Sequence, residues 1–117
     1  MSGSKVIAAA PLAVSLGDPA GIAPELIAEA WRWRGDAGLT PFFVVGGAGL
    51  LAAAARTRGF ELPVVPIADP AEAPAAFASG LPVLGDEDAA PAFGTPTPDG
   101  ARLALHSLTQ ATALAVS

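Results

Sequence analysis

The chain has no cysteine, no tyrosine, one methionine and one histidine. The missing cysteine rules out disulfides and thiolate metal sites, and it removes any compositional support for secretion. A single histidine, His106, makes a self-contained multi-histidine metal site impossible. Basic residues are scarce too: six stand against eleven acidic ones, a net charge of −5. Nonspecific attachment to nucleic acid or to an anionic membrane needs the opposite balance. No apolar run reaches the length of a membrane span. Lys5 and the apolar residues 6–16 have the outline of a weak signal-peptide core. Pro11 interrupts that run, Lys5 is its one basic residue, and Gly17-Asp18-Pro19 is a poor cleavage site. The expected location is cytoplasmic.

What is present points to a packed domain. At 117 residues with 52% apolar composition, the chain has the size of one domain and enough apolar content to bury a core. The charge is uneven. Up to Phe60 five bases meet four acids; from Glu61 onward there are seven acids and one base, Arg102. That acidic excess could meet a basic surface outside the chain, but a solvated face is the simpler reading.

The most structured stretch is 12–27. Residues 12–16 form a short apolar run that reads as a buried strand. Gly17-Asp18-Pro19-Ala20-Gly21 follows as a tight loop. A helix is then expected over 24–34, with Pro24 in its first turn and Glu25 favoured by the helix dipole. Ile22, Leu26, Ile27, Ala30 and Trp31 have the spacing of one apolar face. Trp31 and Trp33 are two apart and cannot share a face, so one is expected inside and the other at the rim. Residues 35–38 should end this helix.

Phe42-Phe43-Val44-Val45 reads as a strand buried on both faces. Gly46-Gly47-Ala48-Gly49 opens a helix through about Arg58, with Gly59 as a natural stop. Those glycines could bind an anion at a helix N-terminus, although a tight turn is the preferred reading. Further strands are expected over 62–65, where Pro63 limits pairing, and over 81–84. A short helix near 71–77 contains Pro74, which weakens it. Residues 85–99 read as a long loop. Its Asp86-Glu87-Asp88 triplet lacks the spacing of a calcium loop and suggests an exposed acidic turn. A last helix is expected from Asp99 to Val116, with Leu105, Leu108 and Thr112 on one stripe and Ala104, Ala111 and Ala115 widening it. His106 on that helix has no paired nucleophile or second ligand, so it is expected to face solvent or a cap. Residues 1–5 read as a frayed start, and 6–11 as a lead-in to the first strand.

Alternating strands and helices specify a mainly parallel sheet between covering helices, an α/β three-layer sandwich. The segment Gly17-Asp18-Pro19-Ala20-Gly21-Ile22-Ala23-Pro24-Glu25, after an apolar strand, resembles the opening signature of the 4-hydroxythreonine-4-phosphate dehydrogenase family. That family has glycine where this chain has Ala23. The related isocitrate and isopropylmalate dehydrogenases open with a similar motif. The resemblance implies that residues 1–117 are a single α/β domain, or part of one, at the N-terminal end of an isocitrate/isopropylmalate dehydrogenase-like fold. It implies a longer two-domain, homodimeric enzyme that oxidises and decarboxylates 4-phosphohydroxy-L-threonine, on the way to pyridoxal phosphate. NAD or NADP and a divalent metal (Zn, Mg or Co) would serve the full enzyme.

By the same resemblance, Gly21 and Ile22 would lie beside the adenosine half of the dinucleotide, making backbone contacts. The extra methyl of Ala23 bears on how close that approach can be. The family's three metal-binding histidines and its substrate-holding residues match no position here. No catalytic or metal-binding residue is therefore expected in this chain, and no cofactor should bind it tightly. Other readings stay open: a related dehydrogenase of four-carbon phosphorylated hydroxy acids such as threonate or erythronate phosphate, a non-catalytic nucleotide- or phosphate-binding module, or a structural interaction domain. None involves nucleic acid or membrane as a partner.

Overall fold

The computed structural model describes residues 11–17, 21–89 and 97–115, without the side chains of 37, 108, 111–113 and 115. The expected frayed start, most of the lead-in to the first strand, the Asp18-Pro19-Ala20 part of the loop and residues 90–96 lie outside the described residues. So does Val116, and so do the side chains of Leu108, Ala111, Thr112 and Ala115 on the expected final stripe.

The elements in chain order are β1 (Leu12–Val14), α1 (Ala23–Arg32), α2 (Arg34–Ala37), β2 (Phe42–Val45), α3 (Ala48–Thr57), β3 (Val64–Ile67), a 3-10 turn (Pro70–Glu72), α4 (Ala73–Phe77), β4 (Leu81–Leu84) and α5 (Pro98–Ala115). The four strands form one sheet in the order β1-β2-β4-β3, with every pairing parallel. Parallel neighbours need crossovers, and the helices supply them.

Strand alternation sorts the core into two faces. Phe42, Val44, Leu81 and Val83 pack with Ala28 and Trp31 of α1 and Leu50, Leu51 and Ala55 of α3. Phe43, Val45 and Ile67 point the other way, against Ala73 of α4, with Leu114 of α5 at the margin. Helices therefore cover both faces, as in the expected sandwich. All four residues of β2 are buried, which is why that strand reads as a continuous apolar run rather than an alternation.

Several expected boundaries shift, each for a local reason. β1 stops at Val14 rather than Leu16, because the Leu16 N–H turns away from the sheet and donates to Ser107 Oγ of α5 at 2.7 Å. α1 ends at Arg32, yet Gly35 and Asp36 remain helical; the stop is Gly38, in the left-handed region with φ 65°. β3 begins at Val64, two residues later than expected, so Pro66 rather than Pro63 lies within it. Among the described residues β3 is an edge strand paired only with β4, and there it tolerates the missing N–H. The Pro63 carbonyl accepts from Leu81 N–H at 2.8 Å, just before the strand. Pro74 does not prevent α4, because it falls in the first turn of that helix.

The apolar faces also differ from expectation. The fully inward side of α1 is Pro24, Ala28 and Trp31, whereas Ile22 and Leu26 are 68% and 59% exposed. Ala28 and Ala55 are completely buried in one cluster, and such small side chains let α1 and α3 approach closely. On α5 the buried stripe is Gly100, Leu103 and Ser107, and Leu105 is exposed. The two tryptophans divide as expected: Trp31 is buried and Trp33 is half-exposed. Trp31 Nε1 donates to Phe77 O at 2.9 Å, and Phe77 meets Phe42 edge-on with ring centroids 5.0 Å apart. The Arg34 guanidinium lies 3.6 Å from the Trp31 ring centroid and donates to Ala78 O at 2.9 Å. This group closes the lower end of the sheet.

Ser107→Ala would leave the Leu16 amide buried without an acceptor. The expected loss is about 1–3 kcal/mol in urea denaturation; a loss below about 0.5 kcal/mol would show that this bond is dispensable.

Candidate functional site

In an open parallel sheet, ligands sit beyond the carboxyl ends of the strands, at the point where neighbouring strands send the chain to opposite faces. Here β2 leads to α3 on one face, and β4 leads towards α5, whose Leu103 joins that cluster while its Leu114 packs on the other face. The crevice between β2 and β4 therefore lies between Gly46-Gly47-Ala48-Gly49 and Gly85-Asp86-Glu87-Asp88.

The chain itself fills that crevice. Gly46 N–H donates to Leu84 O at 2.9 Å, and Gly47 N–H donates to Glu87 O at 2.8 Å. The Asp88 carboxylate accepts from Gly49 N–H at 2.8 Å and from Leu50 N–H at 3.3 Å. It thus caps α3 and meets the positive end of the helix dipole. Gly47 is needed here: its φ is 83°, and a Cβ would stand 2.9 Å from Leu16 Cδ2. The glycine run is a turn, as preferred, and its first amides are taken by the protein's own carbonyls and carboxylate. The acidic triplet is exposed, as expected. The capping role of Asp88 was not legible, because its partners lie 39 and 38 residues away.

The loop after β1 is different. Ile22 precedes α1 with φ −90° and ψ −8°, and among the described residues no side chain caps this helix. Ile22 projects into solvent, and Gly21 is only partly buried. Thr57 Oγ1 donates to Glu25 Oε1 at 3.0 Å, and Arg58 reaches Glu29 at 3.4 Å. These contacts tie the outer side of α1 to the end of α3. Gly21 and Ile22, the two expected cofactor residues, thus stand together at the carboxyl end of the sheet.

His106 is half-buried on α5. It lines a cleft of about 470 Å³ with Glu87, Asp88, Asp99, Arg102 and Leu103. Arg102 and Asp99 form an exposed ion pair. Among the described residues, no group of three or more His, Cys, Asp or Glu side chains is placed to hold a metal ion. No helix among them is long and apolar enough to cross a membrane.

Comparison with known proteins places this geometry. The chain is 53% identical over 107 residues to a 4-hydroxythreonine-4-phosphate dehydrogenase of Erythrobacter litoralis, covering 92% of the chain and 32% of the relative. It is 44% identical over 92 residues to the enzyme of that name from Methylorubrum populi, covering 78% of the chain and 26% of the relative. With that from Zymomonas mobilis it shares 41% over 107 residues, 89% of the chain and 30% of the relative. The chain matches the N-terminal portion of the 4-hydroxythreonine-4-phosphate dehydrogenase family. It spans about a third of the length of these relatives. No protein-family model and no solved structure matches it.

Within the segment Gly17–Glu25, the structure locates the methyl of Ala23. Gly17 has φ 76°, and a Cβ on it would stand 2.7 Å from Ala23 Cβ. The methyl faces back into the loop, against the glycine that opens it.

Two outcomes follow. Gly17→Ala is expected to destabilise the chain by about 1–3 kcal/mol through positive φ and overlap with Ala23. Adding Ala23→Gly should recover the overlap but not the backbone strain, a coupling of at least about 0.5 kcal/mol in urea denaturation; strict additivity would contradict this packing. Asp88→Ala is expected to lose about 0.5–2 kcal/mol, and Asp88→Asn less, because asparagine also caps. Equal losses for the two variants would argue against a capping role.

Proposed function

We propose that this chain supplies the N-terminal part of an NAD(P)- and divalent-metal-dependent 4-hydroxythreonine-4-phosphate dehydrogenase. The observation that carries the reading is the Gly17–Glu25 segment, whose described residues Gly17 and Gly21 to Glu25 lie between β1 and the first turn of α1, in a chain 53% identical to a relative of that name. The residues present fit one edge of a dinucleotide. Gly21 offers backbone without a side chain, and Ile22 offers an exposed apolar surface of the kind that packs against a base. Ala23 does not obstruct them, since its methyl turns towards Gly17. The alternative glycine turn, Gly46–Gly49, is less suited, because Asp88 and Glu87 already engage its amides.

The role assigned to this chain is to bind and orient. Bound NAD(P) would accept the hydride, and the metal would polarise the hydroxyl and then the ketone oxygen. The family resemblance implies a metal held by three histidines; the chain has one, His106, so the rest of the full-length enzyme would supply that site. The isolated chain is therefore inactive. The full enzyme would act as a cytoplasmic homodimer on a small phosphorylated substrate.

The test is a chimera in which this chain replaces the matched third of the Erythrobacter litoralis relative. It is expected to reduce NAD(P) with 4-phosphohydroxy-L-threonine, while the 117-residue chain alone shows no turnover. A folded chimera that reduces no NAD(P) with this substrate would contradict the proposal.

A further inference from the structure

β3 and β4 end together. Their last residues, Ile67 and Leu84, are register partners. Just beyond them lies a groove of about 560 Å³ at the carboxyl end of the sheet. Small-molecule sites span about 300–1,000 Å³, so its size fits a small molecule. Pro66, Ile67, Ala68 and Leu84 give the groove an apolar lining, and Glu72 and Asp86 add two carboxylates. Gly85 makes the turn out of β4 with φ 86° and brings no side chain into the space.

The two carboxylates differ in how they are held. Glu72 is fixed, because its Oε2 accepts from Ala68 N–H at 2.9 Å and from Asp69 N–H at 2.7 Å. These bonds form half of a capping box with Asp69. Glu72 Oε1 takes no hydrogen bond among the described residues. Asp86 is exposed and, among the described residues, has neither a hydrogen bond nor an ion pair. No basic residue lines the groove. Arg102, the one base after Glu61, pairs with Asp99 on α5. The negative charge over this apolar lining is therefore uncompensated.

That combination selects by exclusion. A phosphate or carboxylate ligand would meet two like charges. A divalent metal needs several oxygen ligands, and among the described residues no group of three or more His, Cys, Asp or Glu is placed to hold one. A neutral apolar molecule would strip water from the carboxylates and return no hydrogen bond. An ammonium on a hydrocarbon body meets both demands: the charge bonds carboxylate oxygens, and the body covers the apolar lining. We propose that the groove at the ends of β3 and β4 is a binding site for a small organic ammonium ion. The site is separate from Gly21 and Ile22, since β2 stands between its strands and β1. It does not rest on the dinucleotide reading.

The test is titration of the isotope-labelled chain with n-hexylammonium, followed by amide chemical shifts. Saturable shifts are expected at Ala68, Asp69, Gly85 and Asp86. Methylammonium, which lacks the hydrocarbon, should bind at least about tenfold more weakly. Neutral n-hexanol, which lacks the charge, should bind at least about threefold more weakly. Glu72→Gln and Asp86→Asn should each weaken n-hexylammonium by about two- to fivefold. Glutamine also serves in a capping box, so the first variant removes charge while keeping the turn. Asp99→Asn on α5 should change nothing. Shifts that do not saturate would overturn the proposal, as would equal binding of methylammonium or n-hexanol. Undiminished binding by both groove variants would do the same. A blocked lysine peptide that binds at least about tenfold more tightly than n-hexylammonium would also overturn it, giving the groove to a partner's side chain. If the isolated chain does not fold, the same shifts are read in the chimera. A chimera that binds n-hexylammonium yet oxidises no substrate would sink the dehydrogenase reading and leave this site standing.

Discussion

The Asp88 carboxylate on the first turn of α3 holds the upper end of this fold together. It bonds the amides of Gly49 and Leu50, and the neighbouring Glu87 carbonyl takes Gly47 N–H. These bonds join the segments leaving β2 and β4, the two central strands. Leu16 from the β1 loop lies against Gly47, and Leu103 of α5 lies against Gly46, where a Cβ would find it at 3.2 Å. Four separate parts of the chain meet there, and the meeting is close because glycine occupies both positions. One constraint follows for any ligand. The place where a sheet of this topology ordinarily binds is already occupied by the protein's own groups.

That closure directs attention to the β1–α1 loop. Its amides lie at the same end of the sheet, Ile22 is exposed, and the neighbouring methyl of Ala23 is turned into the loop. The division is economical in physical terms. One helix N-terminus is capped by Asp88, whereas among the described residues no side chain caps the other.

How much of this was legible in the sequence depends on the range of the interaction. β2 and β4 are short apolar runs bounded by turn residues, and both appear where local pattern puts them. Trp31 and Trp33 separate because helix geometry leaves no other choice. The misreadings arise where distant contacts decide. Leu16 leaves the strand because Ser107, 91 residues on, takes its amide. The inward face of α1 is set by close packing of Ala28, not by the larger Ile22 and Leu26. Pro66 enters β3 only because that strand is at an edge. Of the proposed site, Gly21 and Ile22 rest on a local motif alone. The role of Asp88 depends on a partner nearly forty residues away, which no local signal encodes.

The most direct test of this account is amide hydrogen exchange in the chimera with and without bound dinucleotide. The account requires new protection over Gly21 to Leu26, with Gly46, Gly47 and Gly49 to Leu51 unchanged because those amides are already engaged. New protection over Gly46 to Leu51, with none at Gly21 and Ile22, would mean that the Asp88 cap gives way to the ligand, and the account would be wrong.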